Sequence, residues 1–138
     1  MAARSKARKR ALDVLFESEV RGEPVLDLLT ERKAAADPPV SDYAAELVRG
    51  VHAHAAQIDM LLAAHAKGWT LDRMPAVDRN ILRIGTYELL WAADVPDGVA
   101  ISEAVALAGE LSTDDSPAFV NGLLGRLAEL KPTLTLEG

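Results

Sequence analysis

The stretch AVDRNILRIGTYELLW, residues 76–91, decides the fold of this chain. Its apolar side chains recur at the spacing of an α-helix, along a stripe formed by Val77, Ile81, Ile84 and Trp91 that also includes the polar Glu88. Further apolar positions on either side of the stripe widen it, and Pro75 stands where the first turn of a helix tolerates proline. So much apolar surface on one helix predicts a central element that is largely buried.

The rest of the sequence, on either side of this stretch, is also typical of helices. The 138 residues include 24 Ala and 20 Leu, which lose little side-chain entropy in a helix. No sustained apolar–polar alternation is bounded by turn signals, so strands are not expected. Proline and glycine interrupt the pattern and predict helices over about 3–21, 24–36, 42–65 (bent near 49–50), 75–91, 100–111 and 116–130. We therefore expect an all-α fold of six to seven helices. The chain should form one domain, residues 1–138, of two packed helical subdomains at about 1–67 and 68–138.

Composition narrows the class of protein. The chain has no cysteine, which excludes disulfides and thiolate-ligated zinc and suits a reducing cytoplasm. No run approaches the roughly 18–20 apolar residues that cross a membrane. We expect a soluble, cytoplasmic protein with no membrane partner.

Positive charge is concentrated at one end of an acidic chain. Five basic side chains stand within RSKARKR, residues 4–10, although the formal net charge is −6. A solvated, disordered tail is one interpretation of such a run. The run passes directly into an amphipathic helix, however, where positive charge opposes the helix dipole, and a local rule broken in this way indicates function. We interpret it as one local site for a polyanion such as a nucleic acid.

Residues for catalysis or metal binding are few. His52 and His54 are two positions apart, so they point in different directions on a helix and cannot share a metal. No phosphate-binding loop, dinucleotide fingerprint or zinc-protease motif is present. We predict no enzymatic activity, no metal and no cofactor.

Three longer stretches resemble one family across nearly the whole chain. They are ARKRALDVLFESEV (7–20), WTLDRMPAVDRNILRIGTYELL (69–90) and ISEAVALAGELSTDDSPAFVNGLLG (101–125). Together they resemble the NusB family of bacterial transcription antitermination factors, and the WTLDR segment is most similar to its actinobacterial branch. The resemblance implies an all-α fold of two small helical bundles. It also implies binding to boxA RNA of ribosomal RNA leaders together with the ribosomal protein NusE, in a complex that joins the elongating RNA polymerase and other Nus factors.

The resemblance also assigns residues. The family's arginine-rich motif falls on Arg4, Lys6, Arg8, Lys9 and Arg10. Its RNA-facing Asp and Phe fall on Asp115 and Phe119. Cations for phosphates and an aromatic ring for an unpaired base are what single-stranded RNA requires.

The positions that meet NusE in the family are Phe16 in the first helix and the acidic residues Asp72 and Asp78. Asp78 begins a helix, and we expect its carboxylate to be exposed. The surplus of negative charge suits a basic ribosomal protein as the partner.

Two other functions stay open at this point. RNA methyltransferases that act on ribosomal RNA can carry a NusB-like accessory module, but this chain shows no glycine-rich cofactor loop for methyl transfer. A helical protein-interaction scaffold with a basic tail is the other alternative. Some relatives dimerise, so a homodimer is also an expectation to be tested.

Overall fold

The computed structural model describes residues 2–137 and confirms the all-α fold, since these residues form helices and no strand. Seven α-helices follow one another, with short 3₁₀ turns at Leu71–Arg73 and Lys131–Thr133. The helices are α1 (Ala2–Arg21), α2 (Val25–Ala35), α3 (Asp42–Ala53), α4 (Ala55–His65), α5 (Ala76–Trp91), α6 (Asp97–Leu111) and α7 (Ser116–Leu130).

Local sequence signals set several of the helix ends. The Ser41 hydroxyl accepts a hydrogen bond from the Ala44 amide at 3.2 Å and caps α3. Pro75 and Pro96 stand directly before α5 and α6, where a missing amide proton costs nothing. Gly22 adopts a φ of +66° at the end of α1, a conformation that glycine reaches without strain.

The long helix predicted over residues 42–65 is broken at a different place. We expected a bend near Arg49–Gly50, but the break lies at His54, between α3 and α4. Gly50 instead allows a close approach between helices, because a Cβ atom there would overlap the Tyr87 ring. The glycine therefore serves the packing of α3 on α5 rather than a bend.

Helix α5 is the centre of the molecule, as its apolar surface predicts. It packs against α1, α3, α4, α6 and α7. Ile81, Leu82 and Leu89 are fully buried or nearly so, and each such side chain stabilises the fold by about 1.5–3 kcal/mol relative to exposure. At Gly85 a Cβ atom would lie 2.7 Å from Leu124 Cδ1, so the glycine lets α7 approach α5 closely.

The helices on either side of α5 make two sets of neighbours. Helices α1, α2 and α3 contact one another, and α6 and α7 contact one another and α5. Helix α4 precedes Gly68 but packs against α5 and α7. The subdomain boundary predicted at residues 67–68 stays a prediction. Within residues 2–137, no helix is long and apolar enough to cross a membrane.

Candidate functional site

The first three turns of α1 lie alongside α6, and several of their cations meet acidic side chains there. Arg4 pairs with Asp94 at 2.9 Å, and Lys9 pairs with Glu110 at 2.7 Å. The exposed fraction of these four side chains lies between 41% and 65%. Lys6 is exposed too and forms no ion pair with any described residue. A groove of about 320 Å³ runs between the two helices, and Lys6, Lys9 and Glu110 line it.

Arg8 lines this groove as well, but it is not a free cation, and its predicted contact with phosphate stays a prediction. Its side chain is 3% exposed. Its guanidinium donates to Glu88 at 2.7 Å and to Glu103 at 2.8 Å. Tyr43 donates its hydroxyl to the other oxygen of Glu88, and its ring packs beneath Arg4 at 4.2 Å. The physical reason is that Arg8 lies on the buried face of α1, where it anchors that helix to α5 and α6.

Arg10 is partly enclosed. Its side chain is 13% exposed, lies 3.7 Å from Asp13 and donates to the Pro38 carbonyl at 3.4 Å. Arg4, Lys6 and Lys9 therefore present most of the accessible positive charge of the predicted basic motif. Their contact with RNA, and that of Arg10, stays a prediction.

The other predicted RNA-facing residues lie at the start of α7. Asp115 is exposed directly before the helix, and Phe119 is partly exposed one turn further. The Phe119 ring meets Trp69 edge-on, with centroids 5.2 Å apart and planes at 74°. Sequence reasoning did not single out Trp69, whose neighbour Gly68 indicated only the end of a helix. Lys9 contacts the last turn of α6 through Glu110, and the segment carrying Asp115 follows that turn. The basic start of α1 and the start of α7 thus adjoin the same end of α6.

The predicted protein-facing residues lie near the second half of α1. Phe16 is 37% exposed, and Val20, one turn on, is also exposed. Asp72 is exposed in the 3₁₀ turn and lines a hollow together with Glu19 of α1. Arg79 fastens the two segments, because it pairs with Glu19 and donates to the Leu71 carbonyl at 2.8 Å. Because Glu19 lies one turn beyond Phe16 on α1, the hollow brings Asp72 towards the part of α1 that exposes Phe16.

Asp78 does not belong to that surface, and the expectation that its carboxylate is exposed is wrong. The residue is fully buried. Its two oxygens accept hydrogen bonds from the hydroxyls of Ser112 and Ser116, the latter at 2.7 Å. The carboxylate points into the junction between α6 and α7, where it ties the start of α5 to both helices.

The histidines and acidic residues do not assemble a metal site in the described part of the chain. Among residues 2–137, no three side chains of the types that bind metals are grouped to hold an ion. His54 stacks on Trp91, with ring centroids 4.2 Å apart, and so contributes to packing.

Comparison with known proteins connects this arrangement to one family. The sequence model of the NusB family matches residues 5–129. The chain is 61% identical over 134 residues to the transcription antitermination protein NusB of Thermobifida fusca, covering 97% of this chain and 94% of the relative.

Solved structures show the same fold. NusB of T. maritima superposes with a TM-score of 0.80 at 35% identity, covering 91% of this chain and 90% of that one. A crystal structure of the antitermination factors NusB and NusE in complex with double-stranded RNA contains a chain that superposes with a TM-score of 0.80 at 29% identity. That superposition covers 94% of this chain and 98% of the other.

Proposed function

This chain belongs to the NusB family, and we propose from that membership that it is a transcription antitermination factor. It binds boxA-type single-stranded RNA of ribosomal RNA leaders together with the ribosomal protein NusE. The complex joins the elongating RNA polymerase with other Nus factors. The protein acts in the cytoplasm through binding, without a cofactor and without catalysis.

The observation that carries the RNA-binding part is the row of accessible cations at the start of α1. Arg4 is held by the exposed Asp94 and by the Tyr43 ring, and Lys9 is held by the exposed Glu110. Lys6 forms no ion pair within residues 2–137. Exposed ion pairs contribute little to stability because solvent screens them, so a phosphate can displace Asp94 or Glu110 at little cost. Phosphate contacts of this kind provide affinity without reading the bases.

Phe119 and Asp115 supply groups that contact the bases rather than the phosphates. A partly exposed phenylalanine ring can stack on an unpaired base. An exposed carboxylate accepts hydrogen bonds from an exocyclic amino group of a base. Both lie past the same end of α6 that Lys9 contacts, so one strand can meet phosphate-binding and base-binding groups in turn.

The proposed NusE surface is formed by Phe16, Val20 and Asp72. Two exposed apolar side chains and the exposed carboxylate of Asp72 suit a basic protein partner, since apolar contact gives affinity and opposite charge guides association. The solved complex of NusB, NusE and RNA, whose NusB-like fold this chain shares, supports the pairing of the two partners.

The test is a titration of labelled boxA RNA with this protein, with and without purified NusE. A scrambled RNA of the same length and composition is the control. We expect saturable binding to boxA RNA that tightens when NusE is present, and weaker binding to the scrambled RNA under the same salt. Equal affinity for both RNAs at every NusE concentration contradicts the proposed function.

A further inference from the structure

A hollow beyond Phe119 has the composition of a second nucleotide site. It lies between the end of α4 and the outer face of α7 and has a volume of about 260 Å³. Its lining includes His65, Lys67, Phe119, Leu123 and Arg126, and none of its lining residues is acidic. In a chain of net charge −6, a hollow lined by basic and apolar residues alone is a local exception.

The cations of this hollow differ from Arg4 and Lys9 at the start of α1. Lys67 and Arg126 are exposed, and neither forms an ion pair with an acidic side chain within residues 2–137. Arg4 and Lys9, by contrast, are already paired with Asp94 and Glu110. An anion that reaches the hollow therefore displaces no acidic partner, as at Lys6, which makes these two cations more available than Arg4 and Lys9.

The aromatic residues beside the hollow indicate what kind of anion it suits. Phe119 lines it, and Trp69, which is 37% exposed, packs against Phe119 edge-on at 5.2 Å. Aromatic faces next to cations are the combination that binds single-stranded nucleic acid, because bases stack while phosphates are neutralised. An acidic peptide would use the cations but has no flat base to place on the rings.

We propose that this hollow is a second RNA subsite, which holds nucleotides beyond those bound along α1. A base lies against Phe119 and Trp69, and the phosphates beside it meet Lys67 and Arg126. The inference rests on the proposed function and deepens it, because Phe119 belongs to both surfaces and makes them continuous. The RNA it takes is longer than the segment that the start of α1 alone can contact.

The first test removes the two cations and compares matched variants. The double variant Lys67→Ala/Arg126→Ala is measured against Lys33→Ala/Arg49→Ala, which removes two exposed cations that also form no ion pair with described residues but lie on α2 and α3. We expect only the first variant to bind a long single-stranded RNA with lower affinity than the parent protein. Each lost phosphate contact flattens the slope of log K against log salt by about 0.7, so the slope should flatten by about 1.4. The RNA is then shortened stepwise from either end. Once it is too short to reach the hollow, the two variants should bind it with equal affinity.

The second test uses tryptophan emission. The chain has two tryptophans, so Trp91→Phe leaves Trp69 as the sole reporter while an aromatic ring still stacks on His54. We expect the long RNA to quench Trp69 at the same midpoint as binding, and Lys67→Ala/Arg126→Ala to weaken that response. Circular dichroism verifies that each variant keeps its helices.

The outcomes separate this inference from the function on which it rests. If RNA binds and Arg4→Ala/Lys6→Ala/Lys9→Ala weakens it, while the hollow variant and Trp69 emission do not respond, the subsite is wrong and the proposed function stands. If boxA RNA is not distinguished from scrambled RNA, the proposed function fails and the subsite with it. Polyglutamate that quenches Trp69 as strongly as RNA does overturns the assignment to RNA in favour of an acidic protein.

Discussion

Phe119 lies on the first turns of α7 with one edge of its ring on Trp69 and part of its surface open to solvent. Both a base-stacking role and a packing role are compatible with that position, and substitution separates them. Phe119→Ala should cost about 1–3 kcal/mol of RNA affinity, the range for losing one stacked base. Fluorescence anisotropy measures the affinity, and a thermal melt measures the effect on folding.

Phe16→Ala is the matched control for this prediction. Phe16 is 37% exposed on α1 and lies on the proposed protein-facing surface, so its loss should leave RNA binding by the protein alone unchanged. If Phe119→Ala melts far below the parent while its folded fraction binds RNA normally, Phe119 is a core residue and the proposed stacking role is incorrect.

The acidic residues Asp78 and Asp72 should differ in how much their substitution lowers the free energy of unfolding. Asp78 is buried and accepts hydrogen bonds from two serine hydroxyls, whereas Asp72 is exposed in a 3₁₀ turn. Asp78→Ala leaves those hydroxyls without their acceptor and should reduce the free energy of unfolding by about 1–3 kcal/mol. Asp72→Ala should change it by less than about 0.5 kcal/mol. Urea unfolding measures both.

Binding of NusE distinguishes the same two positions. Asp72→Lys places a cation on the surface proposed for a basic partner, so it should weaken NusE binding while RNA binding by the protein alone persists. A NusE affinity that is unchanged in a folded Asp72→Lys protein removes Asp72 from the interface.

Among the elements, α1 combines three tasks along its length. Its first turns present cations to solvent, Arg8 anchors it to α5 and α6, and its second half exposes Phe16. The end of the helix is held in turn by Glu17, which accepts from Arg32 of α2 at 2.9 Å and from Arg21 at 2.8 Å. Orientation of the binding groups therefore depends on ion pairs that lie elsewhere on the same helix.

The Glu17 ion pairs predict a dependence of stability on pH. Hydrogen bonds from Arg32 and then Arg21 lower the pKa of Glu17 from 4.5 to about 2. Because the folded pKa lies below the unfolded one, the stabilisation is complete above pH 4.5 and is lost as the pH falls towards 2. Glu17→Gln should therefore cost about 1 kcal/mol at neutral pH, and the difference from the parent should vanish near pH 2.

Urea unfolding over a series of pH values measures this difference. Glu46→Gln is the control, because Glu46 is exposed on α3 and forms no ion pair with any residue of 2–137. It should change the free energy of unfolding by less than about 0.5 kcal/mol. A Glu17→Gln difference that stays constant from pH 7 to pH 2 contradicts the assignment to the Glu17 carboxylate.

At the scale of the whole molecule, the distribution of charge determines where RNA can bind the protein. The chain is acidic overall, with a formal net charge of −6, so RNA is repelled except where cations are accessible. The buried Arg8 cannot be removed to test this, because Glu88 would be left as an unpaired buried charge at a cost of about 3–5 kcal/mol. Deletion of the whole basic run would thus damage the fold together with the site.

Salt dependence tests the accessible cations without that damage. Each phosphate contact of a single strand contributes about −0.7 to the slope of log K against log salt. Arg4→Ala/Lys6→Ala/Lys9→Ala should therefore flatten the slope by about 2 while the helical content stays unchanged. An unaltered slope in the triple variant shows that the start of α1 does not contact phosphates.

The sequence by itself determined the all-α class and the identity of the central helix, although it did not place the break between α3 and α4. Apolar residues at helical spacing, a capping Ser41 and prolines before α5 and α6 are local signals, because they act through residues a few positions apart. The resemblance of three stretches also placed the chain in its family before the fold was described, and the match over residues 5–129 confirmed that placement.

Only the tertiary structure decided which charged residues are accessible. Arg8 meets Glu88, and Asp78 meets Ser116, across 80 and 38 positions of the chain, and spacing along a sequence does not reveal such distant partners. Trp69 and Phe119 are also far apart in the sequence, so no local pattern predicts that their rings meet. The physical reason is that a charged side chain is either buried in a hydrogen-bonded pair or exposed to solvent, depending on which residues pack over it. Which residues pack over it depends on how the helices are arranged around α5.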